Sequence, residues 1–269
     1  VSSIKSATVK RACPGFFDGA PDGVIFRNGT MLVTGKDVNF TSGHFADHRF
    51  RPDAYFDLDY HEENTSDLFD RFLRDIWAGE PDLEERIEFL CRWIGMAFLG
   101  KANFHMRALI FQGVKGTGKS TITNIIAGLF QKGSVTSIEI QDFMNDTKLA
   151  ALTNARLNAV PEAVSDRIKS PDKLKKVIEG LPQTIERKYV ADPITFCPKA
   201  GHIFAYNSLP PITGSGPSVY DRLAVLTLNN KFRFTDRENK HIAEEIAAEK
   251  AGIIAWAIEG AKIHSQNGM

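Results

Sequence analysis

The chain has 269 residues, 43% of them hydrophobic and 25% charged, with a formal net charge of zero. That is the balance of a globular protein long enough to bury a core, and it excludes wholesale disorder and fibrous repeats. No stretch approaches the ~18 uninterrupted apolar residues of a membrane-spanning helix, so no membrane partner is expected.

The three cysteines, Cys13, Cys91 and Cys197, form neither a CxxC pair nor a disulfide framework, which fits a reducing, cytoplasmic compartment. The start, Val1 to Lys5, carries no apolar signal-peptide core and does not begin with Met, so it reads as a fragment. Charge divides along the chain. Residues 1–100 hold 11 Lys and Arg against 17 Asp and Glu, whereas 101–269 hold 22 against 16. The second part is therefore the one suited to a polyanion, although solvated faces would give the same counts.

In chain order, residues 1–20 read as a polar lead-in. Gly23 to Thr34 is two apolar runs around Asn28-Gly29, a hairpin signal. Residues 35–65, rich in aromatics and acids, read as extended packing loops. Ser66 is positioned to cap a helix running to about Trp77, with Leu68, Phe69, Phe72, Leu73 and Ile76 on one face and Gly79 ending it. Pro81 opens a second helix, from Asp82 to about Phe98, closed by Gly100. His44 and His48 have HxxxH spacing but neither a helix signal nor a third ligand, so no zinc site is expected.

From residue 107 the pattern becomes α/β. Strands are predicted at Ala108–Phe111, Val135–Ile138, Leu157–Val160, Ile203–Tyr206 and Leu223–Leu228, with helices at 119–130, 140–151 and 171–179 between the earlier ones. Such alternation implies a mostly parallel sheet covered on both faces. Two helices, at about 236–249 and 251–264, close the chain. The expected organisation is an α+β N-terminal domain over 1–100, an α/β domain over 101–235 and C-terminal helices over 236–269.

Gly113-Val114-Lys115-Gly116-Thr117-Gly118-Lys119-Ser120 matches GxxxxGK[ST] in full, between a predicted strand and a helix beginning at Thr121. The glycines let backbone N–H groups turn onto phosphate oxygens, and the helix N-terminus adds its dipole. Lys119 supplies a point charge for the β- and γ-phosphates, and Ser120 offers a hydroxyl to Mg²⁺. ATP and Mg²⁺ are the expected ligands.

A nucleotide site also needs an acid and a γ-phosphate sensor. Glu162 ends the apolar run after Arg156; it is a candidate for polarising water and holding Mg²⁺, or else a surface acid after a proline turn. Asp166 is a second, weaker acid. Asn207 ends the strand at Ile203–Tyr206; it suits a sensor of the γ-phosphate or a cap of the turn into Pro210. Arg222 precedes the last strand and suits either a neighbour's phosphate or a salt bridge to Asp221 or another surface acid. Arg187, Lys188 and Tyr189 lie near the tip of a hairpin spanning 185–197. Cations beside an aromatic suit a nucleic-acid backbone with occasional stacking, but a solvated hairpin has the same composition.

Taken together, these motifs resemble the superfamily 3 helicases, in particular the poxvirus and phage/plasmid primase–helicase branch. The likeness is carried by GVKGTGKS at 113–120, the strand and Glu at 157–162, LKKVIEGLPQTIERKY at 174–189, FAYNSLPPI at 204–212 and DRLAVLTL at 221–228. The resemblance implies a AAA+-type core, a hexameric ring and ATP-driven movement along single-stranded or forked DNA. A primase or other replisome protein would be a partner, and the compartment would be the host cytoplasm if the protein is phage-encoded.

By position, Lys119 and Ser120 would be the Walker A pair and Glu162 the Walker B acid. Asn207 would be the sensor, Arg222 an arginine finger acting on the next subunit, and Arg187 and Lys188 the DNA-reaching hairpin. Three features depart from the branch. Ala163, Val164 and Ser165 stand where a second acid usually follows, Asp221 stands where a second arginine often does, and no primase region is present. Two rival readings remain: a P-loop kinase of a small substrate, and an ATPase that loads onto DNA without unwinding it.

Overall fold

The computed structural model describes residues 22–43, 54–104, 107–186, 193–212 and 217–267. Strands β1 (Gly23–Phe26), β2 (Gly29–Thr34) and β3 (Asp37–Ser42) form an antiparallel sheet. The predicted hairpin is present, but its turn is displaced by one residue. Phe26 pairs with Gly29, leaving Arg27 and Asn28 as the two-residue loop. Gly29 is required inside the strand: a Cβ there would lie 2.4 Å from the Thr41 carbonyl oxygen and 2.5 Å from the Phe40 ring. Strand β3 falls where only packing loops were expected. Its alternation of exposed and covered residues is too weak to stand out in the sequence.

Helices α1 (Asp67–Ile76) and α2 (Leu83–Phe98) follow within a residue or two of the expected limits. Ser66 occupies the cap position of α1 without making a side-chain cap bond. Glu249, 181 residues beyond Leu68, accepts the Leu68 and Phe69 N–H groups instead, at 3.0 and 3.2 Å. A carboxylate there satisfies donors that the helix leaves open and meets its positive end.

The remaining strands are β4 (Ala108–Gln112), β5 (Val135–Thr136), β6 (Leu157–Val160), β7 (Gln183–Ile185), β8 (Ile194–Phe196), β9 (Gly201–Tyr206) and β10 (Leu223–Thr227). The helices are α3 (Lys119–Leu129), α4 (Asp146–Leu149), α5 (Pro171–Ile178), α6 (Ile242–Ala247) and α7 (Lys250–Asn267). Five strands make one all-parallel sheet in the order β10-β4-β9-β6-β5. The fold is thus α/β with a P-loop-type core and a small antiparallel sheet before it. Strands β7 and β8 pair separately as the expected antiparallel hairpin.

Because side chains alternate across a strand, β4 feeds two cores. Leu109 and Phe111 join a cluster with α2, α3, α7 and the N-terminal sheet. Ala108 and Ile110 join a second cluster with α5 and the β7–β8 hairpin. The first cluster contains Val24, Ile76, Phe111 and Ile254, so it draws on all three segments read from the sequence.

Three predicted elements are shorter than expected, each for a local reason. Strand β5 stops at Thr136 because Asn158, buried on β6, replaces the next ladder bonds. Its amide accepts from the Ile138 N–H at 2.7 Å and donates to the Ile138 carbonyl at 2.9 Å. The predicted helix at 140–151 breaks into 3₁₀ turns around α4. Asn145 is extended there, and its side chain accepts from the Lys148 N–H at 3.2 Å. The predicted helix at 236–249 is reduced to α6, preceded by a turn in which the Asn239 side chain accepts from the His241 N–H at 2.9 Å.

Candidate phosphate-binding site

The loop 113–118 leaves the C-terminal end of β4 and turns directly into α3. Gly116 and Gly118 have φ of +92° and +88°, the left-handed region that a side chain disfavours. Gly113 is needed for close approach, since a Cβ there would lie 2.3 Å from the Leu228 carbonyl oxygen. The loop is tied to its neighbours by backbone bonds. The Gly113 N–H donates to the Tyr206 carbonyl at 3.2 Å, joining it to the end of β9. The Phe232 and Arg233 N–H groups donate to the Gly116 carbonyl at 2.9 and 3.2 Å. Inside the loop, the buried Thr117 hydroxyl donates to the Val114 carbonyl at 3.0 Å. Val114 and Lys115 are exposed at the loop's outer edge, and Thr121 lies in the first turn of α3.

Lys119, 7% exposed, folds back so that Nζ donates to the Val114 carbonyl at 2.8 Å. Burial pulls its pKa below the ordinary lysine value, and the charge of Glu162 works in the opposite direction. Lys119 thus feels the charge of a second residue singled out from sequence. Ser120 joins them, its hydroxyl donating to the Pro161 carbonyl at 2.8 Å, one residue before Glu162. Glu162 itself is exposed just past β6, and Asn207 is exposed just past β9. All the strands of this sheet are parallel, so these groups share its C-terminal edge, where open α/β sheets bind ligands. Ser120 and Glu162 offer the hard oxygen donors that suit Mg²⁺, and the glycine cradle fits a phosphate chain.

Arg222 is placed elsewhere. It lies just before Leu223, which pairs with Ala108 at the start of β4. Five residues of strand therefore separate it from the loop, roughly 16 Å. Its Nε and Nη2 lie 2.7 and 2.6 Å from one carboxylate oxygen of Glu179, just past α5. Within this chain Arg222 thus makes a salt bridge, to Glu179 and not to Asp221. Arg187, Lys188 and Tyr189 lie outside the described residues, between β7 and β8, as do His44 and His48. Among the described residues, no cluster of three metal-ligating side chains occurs, and no helix is long and apolar enough to cross a membrane.

Sequence reading missed the segment 229–239, which runs from β10 back over the loop. Its backbone holds Gly116, and Asn230 Nδ2 donates to the carbonyls of Asp75, Ile76 and Ala78 at 3.3, 3.1 and 2.9 Å, closing the C-terminus of α1. No motif marks it, because its ties to the loop and to the end of α1 run through backbone groups and two neighbouring amides, Asn229 and Asn230.

Strand order, loop and donor set together define an α/β protein with a P-loop-type core. Residues 111–222 match a family model described only as a family of unknown function, DUF5906. No curated protein matches the chain. Among solved structures, it is similar to the C-terminal region of NrS-1. The A-form apo structure matches with a TM-score of 0.58 at 14% identity, over 87% of this chain and 66% of that one. A second apo structure of the same region gives 0.57 at 12% identity, with the same coverage. The chain thus spans just under two thirds of those structures, and at such identity the likeness is one of fold.

Proposed function

We propose that this chain is the motor portion of an ATP-driven DNA helicase acting as a hexameric ring on single-stranded or forked DNA. The observation that carries the reading is the placement of Lys119, Ser120 and Glu162 at the C-terminal edge of the parallel sheet, with Asn207 at the end of the strand between β4 and β6. In this reading Lys119 and the backbone N–H groups of the loop hold the β- and γ-phosphates. Ser120 and Glu162 would hold Mg²⁺, which would supply charge neutralisation on the phosphates. Glu162 orients the attacking water and Asn207 contacts the γ-phosphate.

Two further features support a DNA motor over a small-molecule kinase. The hairpin β7–β8 carries the cationic residues Arg187 and Lys188 in the segment between its strands. Arg222 sits across the sheet from its own loop, too far to serve it, and next to the open edge strand β10, where a neighbouring subunit would be reached. These are the features that the resemblance to superfamily 3 helicases leads one to expect, as is a primase or other replisome protein as partner.

The test is ATP hydrolysis with and without single-stranded DNA, followed by strand displacement on a forked substrate. Stimulation with displacement is expected. Stimulation without displacement would indicate a loading ATPase, and a DNA-indifferent monomer would indicate a kinase. Lys119→Ala should lower turnover by about 10²-fold or more, since it removes a charge aimed at the transition state. Unchanged turnover would end the phosphate-loop reading.

A further inference from the structure

Glu162 is exposed on the turn that leaves β6, so its aim depends on the backbone that carries it. That backbone is tied on both sides. Before Glu162, the Pro161 carbonyl accepts from the Ser120 hydroxyl at 2.8 Å. After it, the Ala163 N–H donates to the Ala205 carbonyl on β9 at 2.9 Å, and the Ser165 hydroxyl donates to the Ser208 carbonyl at 2.6 Å. Val164, between these ties, is held at both of its backbone groups. Its N–H donates to the Glu139 carboxylate at 3.3 Å, and its carbonyl accepts from the Gln141 side-chain amide at 2.8 Å.

Both clamp residues come from the segment after β5, and β6 sets their position. Asn158 on β6 bonds to the N–H and the carbonyl of Ile138, the residue before Glu139. Glu139 then stands at the cap position of the 3₁₀ turn over 140–144 but makes no side-chain cap bond there. Its carboxylate reaches across to Val164 instead.

The clamp is not arranged for stability. Oε2 of Glu139, Oε1 of Gln141 and the Tyr206 hydroxyl are buried without a hydrogen-bond partner among the described residues. Burial raises the Glu139 pKa, with the bond from Val164 working against it. Burial raises the Tyr206 pKa as well, and the charge of Glu139 raises it further. Tyr206 directly precedes Asn207, so Glu139 acts on the ends of both β6 and β9. Buried polar atoms are nearly always bonded, and departures from such local rules gather at functional sites.

We infer that Glu139 is a positioning residue for Glu162: with Gln141 it fixes the turn 163–165, and so the direction in which the Glu162 carboxylate points. The inference rests on the assignment of Glu162 as the acid of the nucleotide site. Glu139 and Gln141 act through the Val164 backbone and not on the nucleotide. A misplacement of ~1 Å caused by a change away from the chemistry can cost ~10²-fold in rate. Binding of the phosphates should be spared, because the loop's own ties run to Tyr206, Phe232 and Arg233 and not to Val164.

The experiment is steady-state ATP hydrolysis by the full chain and its variants, at a temperature where thermal melts show them folded. Glu139→Ala should lower kcat by about 10- to 100-fold and leave KM for ATP within about twofold. Glu139→Gln, whose amide oxygen still accepts from the Val164 N–H, should keep kcat within about threefold of wild type. A merely structural role would lower Tm in Glu139→Ala and leave kcat below the melt unchanged. Unchanged kcat in Glu139→Ala, a loss confined to KM, or Glu139→Gln as slow as Glu139→Ala overturns the inference. If Glu139→Ala does not fold, Gln141→Ala carries the test: it removes the other half of the clamp and should lower kcat by about three- to tenfold. Unchanged kcat there would overturn the inference equally. Wild type without hydrolysis, or Glu162→Gln turning over as wild type, overturns the assignment of Glu162 and this inference with it.

Discussion

Replacing Arg222 with Ala should have two separable consequences. In this chain the guanidinium is bonded to Glu179, with the two side chains 22% and 14% exposed. Removing it leaves Glu179 largely covered and unpaired. A fully buried pair broken in this way costs ~3–5 kcal/mol, and an exposed one under ~1 kcal/mol. Partial solvent access places the expected loss at about 1–3 kcal/mol, or a fall in Tm of roughly 2–10 °C for a domain of this size. Against a typical domain stability of ~5–15 kcal/mol, most molecules stay folded. If Arg222 also acts on the γ-phosphate of a neighbouring subunit, hydrolysis should fall by ~10³-fold or more.

Glu179→Gln is the control. It breaks the same ion pair and should share the loss of stability, yet it leaves the arginine available and should retain hydrolysis. Mixing Arg222→Ala subunits with Lys119→Ala subunits should then restore activity at interfaces that carry both wild-type residues. Equal loss of stability and of hydrolysis in Arg222→Ala and Glu179→Gln, with no recovery in confirmed mixed assemblies, would refute a role in trans. Arg222 would then be a partner of Glu179 and nothing more.

Glu162→Gln should bind ATP but hydrolyse it far more slowly, because an amide cannot serve water or Mg²⁺ as a carboxylate does; a crippled Asp166→Asn beside an active Glu162→Gln would reassign the acid. Arg187→Ala with Lys188→Ala should weaken single-stranded DNA binding and flatten its salt dependence, by about 0.7 in slope per lost phosphate contact, while basal hydrolysis survives. An unchanged slope would move the DNA path to Lys173, Lys175 and Lys176. His202 is buried on β9 with its ring parallel to Phe204, and burial lowers its pKa to about 4. The unfolded chain binds its proton more readily than the folded one. Stability should therefore be full above the ordinary histidine pKa of ~6.5 and fall by about 3 kcal/mol as pH drops to about 4. His202→Phe should remove that dependence, as read from urea midpoints at pH 7 and pH 4.5.

The phosphate loop was legible in the sequence because its chemistry is local. Glycines that adopt positive φ, a lysine and a hydroxyl must follow one another at fixed spacing for a loop to close on phosphate, so eight consecutive residues carry the signal. The parallel strands were legible for a related reason: buried on both faces, they read as continuous apolar runs. Strand β3 and the early end of β5 were not, because each depends on a partner that its own segment does not contain: β2 for the one and the Asn158 amide for the other.

The pairing of Arg222 with Glu179 and the seat of the segment after β10 over Gly116 were settled only by tertiary structure. Sequence spacing predicts which residues share a face of one element. It does not say which elements meet. Backbone N–H and C=O groups, which hold the segment after β10 over Gly116, are the same in every residue and leave no trace in composition. The sequence by itself therefore determined the glycine-rich loop and the parallel strands that carry it, and packing alone decided what stands around them.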